Sequence, residues 1–241
     1  MKKLVIVGCG RLAGIVSDAV VNGLLPEYDL VGVYSRTAEK AERIVAKIQQ
    51  HGKTCMACTT IEDLLALKPD YLVEAASPAA MKELALPALK NGTSIVTLSI
   101  GALADTAFYQ EVIETAQANG TRVYIVSGAT GGFDVLRTAS LMGNATAKFF
   151  NEKGPNALKG TAVYDEALQT EQRVVFSGNA TKAIAMFPTK VNVAVAASLA
   201  SVGPENMQMS MQSTPGFTGD TQRVEIRNCL LYTSDAADDK A

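Results

Sequence analysis

Leu4-Val5-Ile6-Val7-Gly8-Cys9-Gly10-Arg11-Leu12-Ala13-Gly14 is the stretch that decides the fold. An apolar, β-branched run breaks into a glycine turn and continues in a helical pattern. Gly8 lets the chain turn tightly at the strand end, Gly10 lets backbone N–H groups approach a pyrophosphate, and Ala13 lets the helix pack closely on the strand. The pyrophosphate would lie at the helix N-terminus, where free N–H groups and the helix dipole favour anions. Arg11 and Leu12 open that helix and belong to the same candidate cofactor-binding turn.

A glycine turn alone is a weak signal, because such turns also serve purely structural ends. Here strands and helices alternate behind it. Strands are expected at Leu30 to Tyr34, Thr54 to Cys58, Tyr71 to Glu74, Ser94 to Leu98 and Arg122 to Val126. Helices are expected at Glu39 to Gln50, Pro78 to Lys90 and Asp105 to Asn119, with Asn91-Gly92 as a left-handed stop. Alternation of this kind implies parallel strands with crossover helices, a doubly wound Rossmann sheet over residues 1–127.

After Ser127 the texture changes, with Gly128, Gly131 and Gly132 crowded into one turn. Asp134 to Met142 reads as a helix, and strands are expected at Ala147 to Phe150, Arg173 to Ser177, Met207 to Met211 and Arg223 to Ile226. Asn179 should cap a helix running towards Phe187-Pro188, and Val191 to Ser201 is another apolar helix. Residues 128–228 are therefore expected to form a smaller α+β domain for substrate binding and oligomerisation, with an antiparallel or mixed sheet. Residues 229–241 carry a Ser-Asp-Ala-Ala-Asp-Asp run with no core face; they resemble translated adaptor sequence and are set aside from the fold.

Composition narrows the class. The chain has 241 residues, 48% apolar and 19% charged, enough for one large or two modest cores. With 22 basic and 24 acidic residues it lacks the basic stripe of a nucleic-acid binder. No apolar run approaches the roughly 20 residues that span a bilayer, and no signal segment opens the chain, so a cytoplasmic protein without a membrane partner is expected. Cys55 and Cys58 form one CxxC pair, too few ligands for structural zinc even with His51 nearby; no metal is expected and the thiols read as reduced.

Cofactor choice turns on the end of the second strand. An acid there hydrogen-bonds a ribose 2′-hydroxyl, whereas its absence beside an arginine accommodates a 2′-phosphate. The position reads Tyr34-Ser35-Arg36-Thr37, so NADP is preferred over NAD, with Ser35 and Arg36 as phosphate ligands. Small residues at the later strand ends, Ala76, Ser77, Ser99, Gly101, Ala129 and Gly131, leave room for a planar ring, although each also suits a tight turn. Asn192, at the start of an apolar helix, would cap it or bind a substrate carboxylate. Lys190 offers a cation for a dicarboxylate or a proton donor.

The opening motif together with Val73-Glu74-Ala75-Ala76-Ser77-Pro78, Leu98-Ser99-Ile100-Gly101-Ala102-Leu103-Ala104-Asp105, Ser127-Gly128-Ala129-Thr130-Gly131-Gly132-Phe133-Asp134, Val174-Val175-Phe176-Ser177-Gly178, Met186-Phe187-Pro188 and Val191-Asn192-Val193-Ala194 resembles the L-aspartate dehydrogenase family from residue 3 to about residue 227. The resemblance implies nicotinamide-dependent interconversion of L-aspartate and oxaloacetate plus ammonia through iminoaspartate, an intermediate that feeds quinolinate and NAD synthesis. It also implies a homodimer or homotetramer. It places Ala76 and Ser77 along the cofactor and the loops around Ser99 and Ala129 near the nicotinamide and substrate; Gly131 and Asn192 stand as substrate-binding candidates.

The match departs from the family at one chemical position. The family's catalytic histidine, in an Asn-x-His context, falls on Asp220-Thr221-Gln222, and glutamine is neither a general acid nor a general base. Gln222, Asp220 and Lys190 are the candidates left for substrate orientation and proton handling. The family's C-terminal segment also has no counterpart here, which predicts an uncovered apolar face and poor solubility. Two alternatives stay open: a same-fold reductase of another imine or carbonyl, in the manner of dihydrodipicolinate reductase, and an idle NADP-binding protein.

Overall fold

A computed structural model describes residues 1–126, 128, 130–187 and 191–228, and the chain divides into two compact units after Val126. In the first unit, β1 (Lys2–Val7) leads through the glycine turn into α1 (Arg11–Val21), then β2 (Tyr28–Tyr34), α2 (Ala38–Gln50), β3 (Met56–Cys58) and α3 (Ile61–Ala66). The second half runs β4 (Tyr71–Glu74), α4 (Pro78–Lys90), β5 (Ser94–Thr97), α5 (Thr106–Ala118) and β6 (Val123–Ile125). The six strands lie in the order β3-β2-β1-β4-β5-β6, and every neighbouring pair is parallel. That order reverses direction between β1 and β4, the switch point at which open parallel sheets bind ligands.

Burial explains the elements. Leu4, Val5, Ile6 and Val7 are all buried, as a central parallel strand covered on both faces requires. Leu4 and Ile6 share a cluster with Ala13 and Val20 of α1 and Ala41, Ile44 and Ile48 of α2, residues spaced to form one helical stripe. Ser77 Oγ accepts from Ala80 N ahead of Pro78 to start α4, Asp105 accepts from Phe108 N to start α5, and Gly92 at φ +82° ends α4 as a left-handed stop.

The second unit contains α6 (Phe133–Leu141), β7 (Ala145–Lys153), α7 (Pro155–Leu158), β8 (Arg173–Asn179), α8 (Ala180–Met186), α9 (Asn192–Leu199), β9 (Gln208–Ser213) and β10 (Asp220–Asn228). Its sheet is mixed, ordered β10-β7-β9-β8, with β7 and β9 parallel and the outer pairs antiparallel. Ala147, Phe149, Phe176, Met209 and Met211 form a core with Ala180, Ala183, Phe187, Ala194 and Ala197 of the helices. No helix among the described residues is long and apolar enough to cross a membrane.

Several expectations need correction. The third strand starts at Met56 rather than Thr54, leaving Cys55 buried ahead of it. Helix α3 was not anticipated, although Thr60 and Asp63 form a reciprocal capping box that starts it. Strands β7, β8 and β10 are longer than expected. Asn192 is not a cap: it is the first residue of α9, and the cap position belongs to Val191. Residues 229–241 lie outside the described residues.

Candidate active site

The loops at the carboxyl ends of β1, β2 and β4 enclose a cleft of about 240 Å³ lined by Gly8, Cys9, Gly10, Ser35, Arg36, Lys40, Ala76 and Ser77. Gly8 has φ +91°, and a Cβ built there would stand 2.7 Å from the main chain of Ala75 and Ala76, so only glycine fits between the two loops. Gly10 differs in kind: a Cβ there would meet nothing within 4 Å. Its open side is the space a pyrophosphate needs.

The two helix N-termini at this edge are also unlike. At α1 no side chain caps the helix and no acid occupies its first turn, so its dipole is open to the cleft, which Glu83 of α4 also lines. At α4 the Ser77 hydroxyl accepts from Ala80 N, and Glu74 accepts from the amides of Ala76 and Ser77. The free amides at the α1 N-terminus are thus the ones open to an anion, and the residues present fit a dinucleotide phosphate. Arg11 and Leu12 stand exposed on the first turn, and Ala13 is fully buried beneath it. Cys9, inside the turn, has its thiol pushed up to about 11 by burial and serves as packing.

At the end of β2, Ser35 Oγ accepts from Thr37 N, and exposed Arg36 and Lys40 line the same cleft. Lys40 joins the site from the first turn of α2, four residues after Arg36. Ser99 is nearly buried, and its hydroxyl donates to Glu74 at 2.9 Å, so it contributes main chain and shape to the loop after β5. Glu74 itself is fully buried and was given no role in the sequence reading.

In the second unit, Gln222 Oε1 accepts from the Thr130 hydroxyl at 3.0 Å, which ties β10 to the loop before α6. Register places Gln222 opposite Asn151 and Asp220 opposite Lys153, on the face that also carries Phe149. Asp220 accepts from Lys153 Nζ and from Asn151 Nδ2, both at 2.6 Å. Lys153 and Asn151 are buried, and neither was anticipated. The alternation of Ala147, Phe149, Asn151 and Lys153 on one face of β7 was the available signal: polar residues at core positions.

Gly131 is exposed in the loop before α6, and Gly132 at φ +75° begins that helix. Ala129 and Lys190 lie outside the described residues. His51 follows α2 at the end opposite Arg36 and Lys40, where its Nδ1 lies 2.9 Å from Lys47 O. Among the described residues, no cluster of histidine, cysteine and carboxylate side chains is arranged to hold a metal.

Comparison with known proteins gives the same two-part division. Residues 8–126 match the family model described as the NAD binding domain of homoserine dehydrogenase, and residues 134–230 match the aspartate dehydrogenase C-terminal domain. L-aspartate dehydrogenase from Methanocaldococcus jannaschii is 33% identical over 213 residues, covering 85% of this chain and 76% of the relative. The Methanococcus maripaludis C6 protein of that name is 30% identical, covering 87% of this chain and 78% of its own length. Among solved structures, aspartate dehydrogenase from Thermotoga maritima superposes with a TM-score of 0.73 at 23% identity, over 95% of this chain and 86% of that one, and so shares the fold. The chain belongs to the L-aspartate dehydrogenase family.

Proposed function

We propose that the protein interconverts L-aspartate and oxaloacetate plus ammonia through iminoaspartate, with NADP preferred over NAD. The observation that carries this reading is the conjunction of an uncapped, open glycine turn on the sheet of the first unit with a second unit that matches the aspartate dehydrogenase C-terminal domain. When bound, the nicotinamide supplies hydride exchange with the substrate carbon. The chain's residues bind and orient: the α1 N-terminus receives the pyrophosphate, and Ser35, Arg36 and Lys40 offer hydrogen bonds and positive charge to a 2′-phosphate.

In the second unit, Gln222 and Thr130 present an amide and a hydroxyl to orient a substrate carboxylate or imine, with Lys190, Asn192 and Gly131 as further substrate-side candidates. Asp220 is held by Lys153 and Asn151, which makes it a fixed acceptor for proton handling. A histidine at position 222 would supply general acid–base help worth roughly 10²–10⁴-fold, so a slow enzyme is the expectation. The glutamine there also favours a second reading, a binder of NADP without turnover. A cytoplasmic homo-oligomer that supplies iminoaspartate for NAD synthesis is part of the same proposal. Aspartate-dependent reduction of NADP, measured with chromatographic detection of oxaloacetate, tests it: cofactor binding without product would select the second reading.

A further inference from the structure

We infer that Glu74 is a positioning residue for the nicotinamide half of the dinucleotide, its carboxylate fastening the loops after β4 and β5 into the form in which they line the cofactor site. The inference rests on the dinucleotide reading above.

Glu74 ends β4 and is fully buried, where an ionised carboxylate is costly unless hydrogen bonds replace its lost water. Here they do. Oε1 accepts from Ala76 N at 2.8 Å, Ser77 N at 3.0 Å and Ser99 Oγ at 2.9 Å; Oε2 accepts from Thr97 Oγ1 at 2.9 Å and Ser99 N at 3.1 Å. All these partners are neutral donors, and three are main-chain amides drawn from two separate loops. An apolar residue at a buried strand end would serve the sheet at lower cost. What the carboxylate adds is the placement of both loops.

That placement reaches the phosphate turn. Ala75 and Ala76 lie so close to Gly8 that a Cβ there would stand 2.7 Å away, main chain against main chain. Movement of the loop after β4 therefore reshapes the wall of the cleft. Because the ribose-selecting position lies at the end of β2 on one side of the switch point, the other mononucleotide lies over β4 and β5, on the loops that Glu74 holds.

Glutamine is a poor substitute. With its NH₂ on the Oε1 side the amides of Ala76 and Ser77 lose their acceptor, and on the Oε2 side the NH₂ faces Ser99 N, which keeps only the Thr97 hydroxyl oxygen at 3.1 Å. Glu74→Gln should raise the dissociation constant for NADPH roughly tenfold or more, the penalty scale of buried donors left without acceptors. Adenosine 2′,5′-bisphosphate and AMP occupy only the adenosine half and meet the clamp through Ala76 and Ser77 alone, so their affinities should fall by clearly less than that of NADPH. Thr97→Val, which removes one donor to Glu74 and one of the two acceptors of Ser99 N at nearly constant shape, should weaken NADPH by roughly threefold and keeps the test available if Glu74→Gln does not fold. Binding is read by the shift and enhancement of nicotinamide fluorescence, beside a thermal melt. Unchanged NADPH affinity in both variants, or equal loss of NADPH and the adenosine fragments, overturns the inference as a merely structural role would. Wild-type protein that binds neither NADPH nor NADH overturns the dinucleotide reading and this inference with it.

Discussion

Gly8 and Gly10 stand two residues apart, yet their replacement by alanine should fail in opposite ways. At Gly8 the backbone has φ +91°, where a Cβ costs roughly 1–2 kcal/mol from chirality alone. The Cβ would also stand 2.7 Å from the main chain of Ala75 and Ala76, which are backbone atoms and cannot rotate away. Overpacking of that kind adds about 1–3 kcal/mol. Gly8→Ala should therefore lose at least about 2 kcal/mol, a melting shift of roughly 4–8 °C for a chain of this size. Gly10 has φ −86°, and its Cβ would meet nothing within 4 Å. Gly10→Ala should melt like the wild type but lose cofactor affinity by tenfold or more, on the order of 1.4 kcal/mol, because the methyl group fills the phosphate's approach. The assay is a paired thermal melt and NADPH fluorescence titration. Normal binding by Gly10→Ala, or an unshifted melt for Gly8→Ala, would refute the assignment of these two roles.

Other outcomes follow from the charged and sulfur-bearing groups. Arg36→Glu should shift the ratio of kcat/KM for NADPH over NADH by roughly 10–100-fold towards NADH, the scale of one charge-assisted phosphate contact; an unchanged ratio would place the 2′-phosphate elsewhere. Asp220→Ala leaves the buried Lys153 ammonium without its ion-pair partner. Because Asp220 is half-exposed, the expected loss in urea unfolding is about 1–2 kcal/mol rather than the 3–5 of a fully buried pair, and Lys153→Met added to it should recover most of that loss. Asp105 is held below the usual carboxylate range by the hydrogen bond from Lys82 and by its cap on Phe108 N. Its depressed folded value means the stability it adds is present above roughly pH 4 and lost as pH falls through that folded value. Asp105→Ala should cost about 1 kcal/mol at neutral pH, with the gap closing in acid; a gap independent of pH would contradict the sign. Burial pushes the thiols of Cys9 and Cys55 up to about 11 and about 12, so both should resist alkylation at pH 8 until the chain is unfolded, as peptide mapping would show.

What the sequence disclosed divides along physical lines. The apolar runs Leu4 to Val7 and Tyr71 to Glu74 read directly as strands, because a parallel sheet covered on both faces leaves a continuous hydrophobic signature. Strands β7 and β10 were read short at their polar ends, where Asn151, Lys153, Asp220 and Gln222 look like loop residues until they are seen opposite one another. Helix α3 escaped notice because six residues are too few to show a period, and its Thr60–Asp63 box uses aspartate in place of glutamate. In the site, Gly8 and Gly10 were legible because the turn chemistry depends on residue type. Glu74 carries no such signal, since its surroundings depend on two loops distant in sequence converging on one carboxylate.

The central claim, an aspartate dehydrogenase that uses Gln222 where its family places histidine, is tested most directly by NADPH oxidation with oxaloacetate in the presence and absence of ammonia, beside NADH, 2-oxoglutarate and pyruvate. Slow oxidation that requires both oxaloacetate and ammonia, and that runs faster with NADPH than with NADH, is the expected result. Oxidation that is indifferent to ammonia, or equal with pyruvate, would contradict it, as would tight NADPH binding with no turnover on any of the three acids.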